Sequence, residues 1–116
     1  MSGSGGSSST GTGGIPGHSE IDCAMIAEKT ILNSPDPDVL KDLRKNDVLI
    51  VTLKVRNGQN ILVAETQDGR TAGSLTLPLL PRILECMGQA FEYVAIVTDI
   101  LGGRCIVIIQ PKARPT

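Results

Sequence analysis

The sequence predicts an α+β domain: a small antiparallel sheet of five or six strands, rolled into a partly open β-barrel, with two short helices. Two observations lead there. Apolar residues alternate with period two over residues 47–76 and again over 91–110, and both stretches are broken by tight-turn pairs, Asn57-Gly58, Asp68-Gly69 and Gly102-Gly103. Two proline-marked segments, 34–46 and 77–88, switch instead to a helical stripe. The length, 116 residues, allows one domain.

Residues 1–14 contain only Met, Gly, Ser and Thr. They have no side chains to bury, so residues 1–20 are expected to be a flexible tail. The folded domain is expected over 21–111, with 112–116 as a C-terminal tail. Residues 21–32 suit two readings. Ile21, Cys23, Met25, Ala27 and Ile31 nearly alternate with polar positions, which favours a strand, while Ile21, Ala24, Met25, Glu28, Ile31 and Leu32 would also line one face of a helix. Ser34-Pro35-Asp36-Pro37-Asp38 then starts a helix over Asp36–Lys45. Ser34 caps it, Pro35 is pre-set for the first turn, the Asp side chains favour the positive dipole end, and Asn46 stops it.

From Asp47 the period becomes two. Leu49, Val51, Leu53 and Val55 point one way, and Val48, Ile50, Thr52, Lys54 and Arg56 the other. Asn57-Gly58 turns the chain into a second strand, Ile61–Thr66, and Asp68-Gly69 into a third, Arg70–Leu75. Pro78 and Pro81 exclude a central strand, so Leu80, Ile83, Leu84 and Met87 form the stripe of a second helix ended by Gly88. Phe91–Ile100 is a long strand, with Phe91 and Tyr93 as core candidates on one face. The last strand, Arg104–Gln110, carries five consecutive apolar residues from Cys105 to Ile109, so both of its faces need cover from the fold or from a partner.

Several functional classes close off. Eleven cationic and twelve acidic side chains leave a formal charge of −1, without the basic footprint of a strong nucleic-acid binder. No apolar run approaches the roughly 18 residues of a membrane span, and the N-terminus lacks the cationic start and apolar stretch of a secretory signal. The three cysteines, Cys23, Cys86 and Cys105, are odd in number and widely spaced, fitting neither a disulfide framework nor a metal clip. They read as buried or half-buried thiols in a reducing cytosol, which makes the expected location cytoplasmic.

His18 is the single histidine and precedes the folded region, so no triad, His–Cys pair or ordinary zinc centre is expected. Cys86 and Cys105 lack a nearby cation to make a thiolate, and Ser74 lacks the surroundings of a nucleophile elbow. Glu65, Asp68, Glu85, Glu92 and Asp99 come from different elements, and Gly102-Gly103 opens no helix that would present amides to phosphate. The chain is therefore expected to be no enzyme and to carry no cofactor and no metal.

What remains is surface chemistry. Lys54, Arg56, Arg70, Arg82 and Arg104 are the candidate nucleic-acid-binding residues, provided the barrel gathers them into one groove. The alternative is a protein–protein or homodimerisation module that uses the apolar last strand and the Leu-rich segment 75–84.

Two resemblances bear on this choice. Residues 47–110 resemble a HIRAN domain: Val48–Val55 leads to a strand with Ile61-Leu62-Val63, then Gly73-Ser74-Leu75, a proline-marked helix with Leu80, Ile83 and Leu84, Gly88, and a strand Phe91–Val97. The resemblance implies a small β-barrel that binds single-stranded DNA or DNA ends. The asparagine-rich approach to the second strand is reduced here to Asn57-Gly58-Gln59-Asn60, and the helix over 36–45 is extra. Gly73–Pro78, the following helix and a hydrophobic strand are also similar to swapped-hairpin antitoxin and transition-state-regulator domains. That likeness implies a dimeric DNA binder, although only Arg82 supplies charge there. The functional expectation is a non-enzymatic binding module for single-stranded or terminal DNA, or else for a protein partner or itself.

Overall fold

The computed structural model describes residues 23–112. The tail expected over 1–20, and His18 with it, lies outside them. Among the described residues there are six strands: β1 Glu28–Ile31, β2 Val48–Arg56, β3 Gln59–Glu65, β4 Thr71–Leu75, β5 Tyr93–Leu101 and β6 Arg104–Pro111. The helices bounded within the described residues are α1 Pro37–Leu40 and α2 Leu80–Gly88, which with the sheet make an α+β domain. All pairings are antiparallel, in the order β1-β6-β5-β2-β3-β4.

The sheet is bent but not closed into a barrel. Its edges meet at one corner only, where Asn33, just after β1, exchanges backbone hydrogen bonds with Ser74 of β4 at 2.8 and 2.9 Å. Gly73 permits that approach, because a Cβ there would stand 3.0 Å from the Leu32 Cβ and 3.1 Å from the Asn33 carbonyl oxygen.

The meander over β2–β4 follows its turn chemistry. Asn57 and Gly58 both take positive φ, 50° and 77°, as a two-residue hairpin loop requires. The ambiguous 21–32 segment divides: Cys23 and Ala24 are helical, and only Glu28–Ile31 pairs as a strand. The first helix is shorter than expected. Asp36, not Ser34, is its cap and accepts from the Asp38 amide at 2.9 Å. The Asp36 amide in turn donates to the Ala72 carbonyl, so the chain up to Asp36 is committed to the β4 edge and the helix can begin only at Pro37. After Leu40 the backbone tightens into three-residue turns toward β2, and Val39 and Leu40 are buried.

The α2 boundaries match the proline and glycine punctuation, although the left-handed residue that ends the turn is Ala90 at φ 75°, not Gly88. β5 begins at Tyr93, later than expected, and β6 runs on to Pro111. The Lys112 amide still donates to the Glu92 carbonyl, so the expected tail is tied down at its first residue.

The core fills the concave face of the sheet. Leu49, Leu62, Leu75, Tyr93, Val97, Val107 and Ile109 meet Ile83 and Cys86 of α2, together with Cys23 and Ile26 from the N-terminal segment. The expectation of three unpaired thiols is corrected here. Cys23 and Cys86 form a disulfide across 63 positions of sequence, and Cys105 alone is a free, buried thiol. Spacing gave no sign of it, because the partners become neighbours only when the N-terminal segment lies along α2. The Tyr93 hydroxyl donates to the Cys23 carbonyl at 2.7 Å and pins the same segment. Among the described residues, no helix is long and apolar enough to cross a membrane.

Candidate functional site: the convex face of the sheet

The cations expected to share a groove are not gathered. Lys54 and Arg56 sit toward the β2–β3 hairpin, while Arg70 and Arg104 lie toward the opposite end of the strands, as the antiparallel registers require. Arg82 is on α2, whose buried residues Ile83 and Cys86 face the concave side. Three of the five face carboxylates: Lys54 pairs with Glu65 at 3.1 Å, Arg82 with Glu85 at 2.8 Å, and Arg70 with Asp42 at 3.1 Å and Asp68 at 3.3 Å. Arg56 and Arg104 have no ion pair among the described residues, but they lie at opposite ends of the sheet.

The carboxylates disperse in the same way. Glu65, Asp68 and Glu85 take these cations, and Glu92 pairs with Lys112 at 3.4 Å. Asp68 is held below the usual carboxylate range, first by the Thr66 hydroxyl that donates to it and then by the Arg70 charge. There it links the Thr66 hydroxyl to the Arg70 guanidinium across the turn between β3 and β4. The Arg70 guanidinium is held above its ordinary value by the hydrogen bond to Asp42 and the Asp68 charge. Burial pushes the Cys105 thiol up, which disfavours the thiolate a nucleophile needs. Ser74 Oγ donates to the Asn33 carbonyl at 3.3 Å, within the corner that joins the sheet edges. No group of three metal-ligating side chains occurs among the described residues.

The structure exposes a different surface. Residues directly opposite across a ladder share a face, so the registers assign the convex side strand by strand. Ile108, Ile96 and Val48 stand in one row across β6, β5 and β2; Val94 and Ile50 stand in the next, and Ile106 and Ile31 pair on the other side. Ile31 is 43% exposed, Val48 41% and Ile50 38%; Ile96, Ile106 and Ile108 are partly buried, and Val94 is buried. These side chains form a continuous β-branched band on the outside of the sheet, and none of them belongs to the core cluster. A contiguous apolar patch of this kind is characteristic of an interaction surface.

Beside the band opens a cleft of about 450 Å³ lined by Ile50, Val51, Leu53, Met87, Phe91 and Val94 among others, with the Glu92–Lys112 pair at its rim. It exists because β5 pairs with β2 only at Val48–Ile50, so the rest of β2 runs past the start of β5. That overhang also explains Leu53 and Val55. Both share a side of β2 with the buried Leu49 and Val51, yet they are 42% and 68% exposed because β5 does not extend along the hairpin.

The sequence held part of this surface. Ile106 and Ile108 belong to the last strand, whose apolar residues on both faces called for cover from the fold or from a partner. Val48 and Ile50 were legible only as apolar residues on the otherwise polar side of β2. The Leu-rich segment 75–84 is no surface: Leu75, Leu77 and Ile83 are buried, and Leu79, Leu80 and Leu84 pack against the core. Compared with known proteins, the chain matches no family model, no curated protein and no solved structure.

Proposed function

We propose that this chain is a non-enzymatic binding module that works by burying the convex apolar band against another polypeptide. The observation that carries the reading is the row Ile108–Ile96–Val48, continued by Ile50, Ile106 and Ile31, which spans the outer side of four neighbouring strands and stays partly exposed outside the core cluster. A DNA-end reader of the HIRAN kind would work through Lys54, Arg56, Arg70, Arg82 and Arg104. Their dispersal and the carboxylate partners of Lys54, Arg70 and Arg82 favour the protein-binding reading over it. Compartment follows the same chemistry. The Cys23–Cys86 bond supports an oxidising setting over the cytosol that three free thiols imply.

The test uses two probes on the intact protein. The native fold should bind the hydrophobic dye anilinonaphthalenesulfonate, and Val48→Lys and Ile50→Lys, both at exposed positions, should each remove most of that signal while the unfolding midpoint changes little. A labelled single-stranded oligonucleotide should not bind at low salt. Oligonucleotide binding that weakens steeply with salt and is lost in the Lys54→Ala/Arg56→Ala variant, with dye binding unaffected by either lysine substitution, would overturn the proposal.

A further inference from the structure

We infer that the polypeptide covering this band is a second copy of the chain, packed face to face about a two-fold axis that runs along the band; the inference rests on the protein-binding reading above. The band is diagonal. From Ile31 on β1 through Ile106 and Ile108 on β6, Ile96 on β5, and Val48 and Ile50 on β2, it crosses three strand spacings sideways and advances two ladder rows along the strands. With strands ~4.8 Å apart and ~3.4 Å of rise per residue, that is ~14 Å in each direction, so the band lies at ~45° to the strands.

A two-fold axis along such a band places the same residues over one another in reversed roles, as an isologous interface requires. It also sets the strands of the two sheets at ~90°, one of the two ways in which sheets pack.

The charges beside the band fit the same axis. Lys29 stands on β1 opposite Ile108, on one flank of the diagonal, and Asp99 stands on β5 opposite Ile106, on the other. Neither has an ion-pair partner among the described residues. Rotation about the band axis exchanges the two flanks, so Lys29 of each copy comes to the Asp99 position of the other, twice in the dimer. Arg104 also lies on this face, two residues before Ile106 on β6 and beyond the end of the band, and a formal charge of −1 sets little repulsion between copies. The footprint, of order 400 Å² per copy and so about 800 Å² in total from the same strand spacings, falls below the roughly 1,000 Å² of stable interfaces, so the dimer should be weak and reversible.

Sedimentation of the full chain over a wide concentration range tests this. The parent should dimerise, and Val48→Lys should leave it monomeric. Lys29→Asp and Asp99→Lys should each weaken dimerisation about fivefold or more, because each puts like charges in contact at both sites. Mixing the two single variants should restore the affinity, since a Lys29→Asp copy facing an Asp99→Lys copy has both pairs opposite in sign, and the double variant should dimerise like the parent.

A chain that stays monomeric up to millimolar concentration, with its dye binding and the Val48→Lys effect intact, would overturn the second copy as occupant and leave the protein-binding reading standing. A dimer lost in Val48→Lys but indifferent to both charge reversals would overturn the axis assigned here. Failure of the dye test would instead remove the reading beneath it.

Discussion

Replacing Cys23 and Cys86 together by Ala should remove a large share of this domain's stability. The bond closes a loop across 63 positions of sequence, and the chain-entropy relation for a loop of that size puts the loss at about 4 kcal/mol. Typical small domains have only about 5–15 kcal/mol in total, and a loss of this size corresponds to a fall of roughly 15–30 °C in Tm for a chain of this length. Both side chains are fully buried, so Ala is the appropriate replacement, because Ser would add a buried hydroxyl with no assigned partner.

Two features make the loss legible in an assay. The Tyr93 hydroxyl holds the Cys23 carbonyl from the core side, so release of the disulfide should also change the tyrosine environment. Cys105 remains as an internal reference, a buried thiol that should react only on unfolding. Urea unfolding followed by circular dichroism, on the parent and on the double Ala variant, reads the change in midpoint; thiol titration of the native and denatured parent counts the free groups. The reasoning fails if the native parent shows Cys23 and Cys86 free, or if the double variant unfolds within about 1 kcal/mol of the parent.

Gly73→Ala should destabilise the fold by about 1–3 kcal/mol, because the added Cβ meets the Leu32 Cβ and the Asn33 carbonyl in the corner that joins the two sheet edges; denaturant midpoints check it, and an unchanged midpoint would show that the corner can open without cost. The Thr66–Asp68–Arg70 turn should respond to acid. The Asp68 carboxyl is held below its ordinary 3.8 in the folded state, so its contribution is fully present above that pH and is lost as pH falls through the lowered folded value; Asp68→Asn should remove this pH dependence, and a carboxyl titration by NMR reads the shift directly.

Much of the fold was legible in local sequence because its causes are local. Asn57-Gly58 tolerates two positive φ values and so sets the β2–β3 hairpin, Pro81 and the stripe Leu80–Met87 mark α2, and the alternation in β2 and β6 identifies strands without reference to any neighbour. The extent of α1 was not legible, because it depends on the bond from Asp36 to Ala72, a partner far along the chain.

The candidate site divides in the same way. Which residues of β2 and β6 share a side follows from period two, so the apolar character of Val48, Ile50, Ile106 and Ile108 was visible in the sequence. Which side is the core depended on where α2 and the N-terminal segment settle, and whether five cations converge depended on strand order, since β2 lies beside β5 and between it and β3. The Cys23–Cys86 bond is the sharpest case. Two cysteines far apart in sequence have no local signature of pairing, and only the packing of the N-terminal segment against α2 brings their sulfurs together. Turns, strands and helix ends were therefore determined by the sequence itself, through backbone sterics and periodicity, whereas the disulfide, the scattering of the charges and the uncovered convex band were decided by tertiary contacts between residues with no local reason to meet.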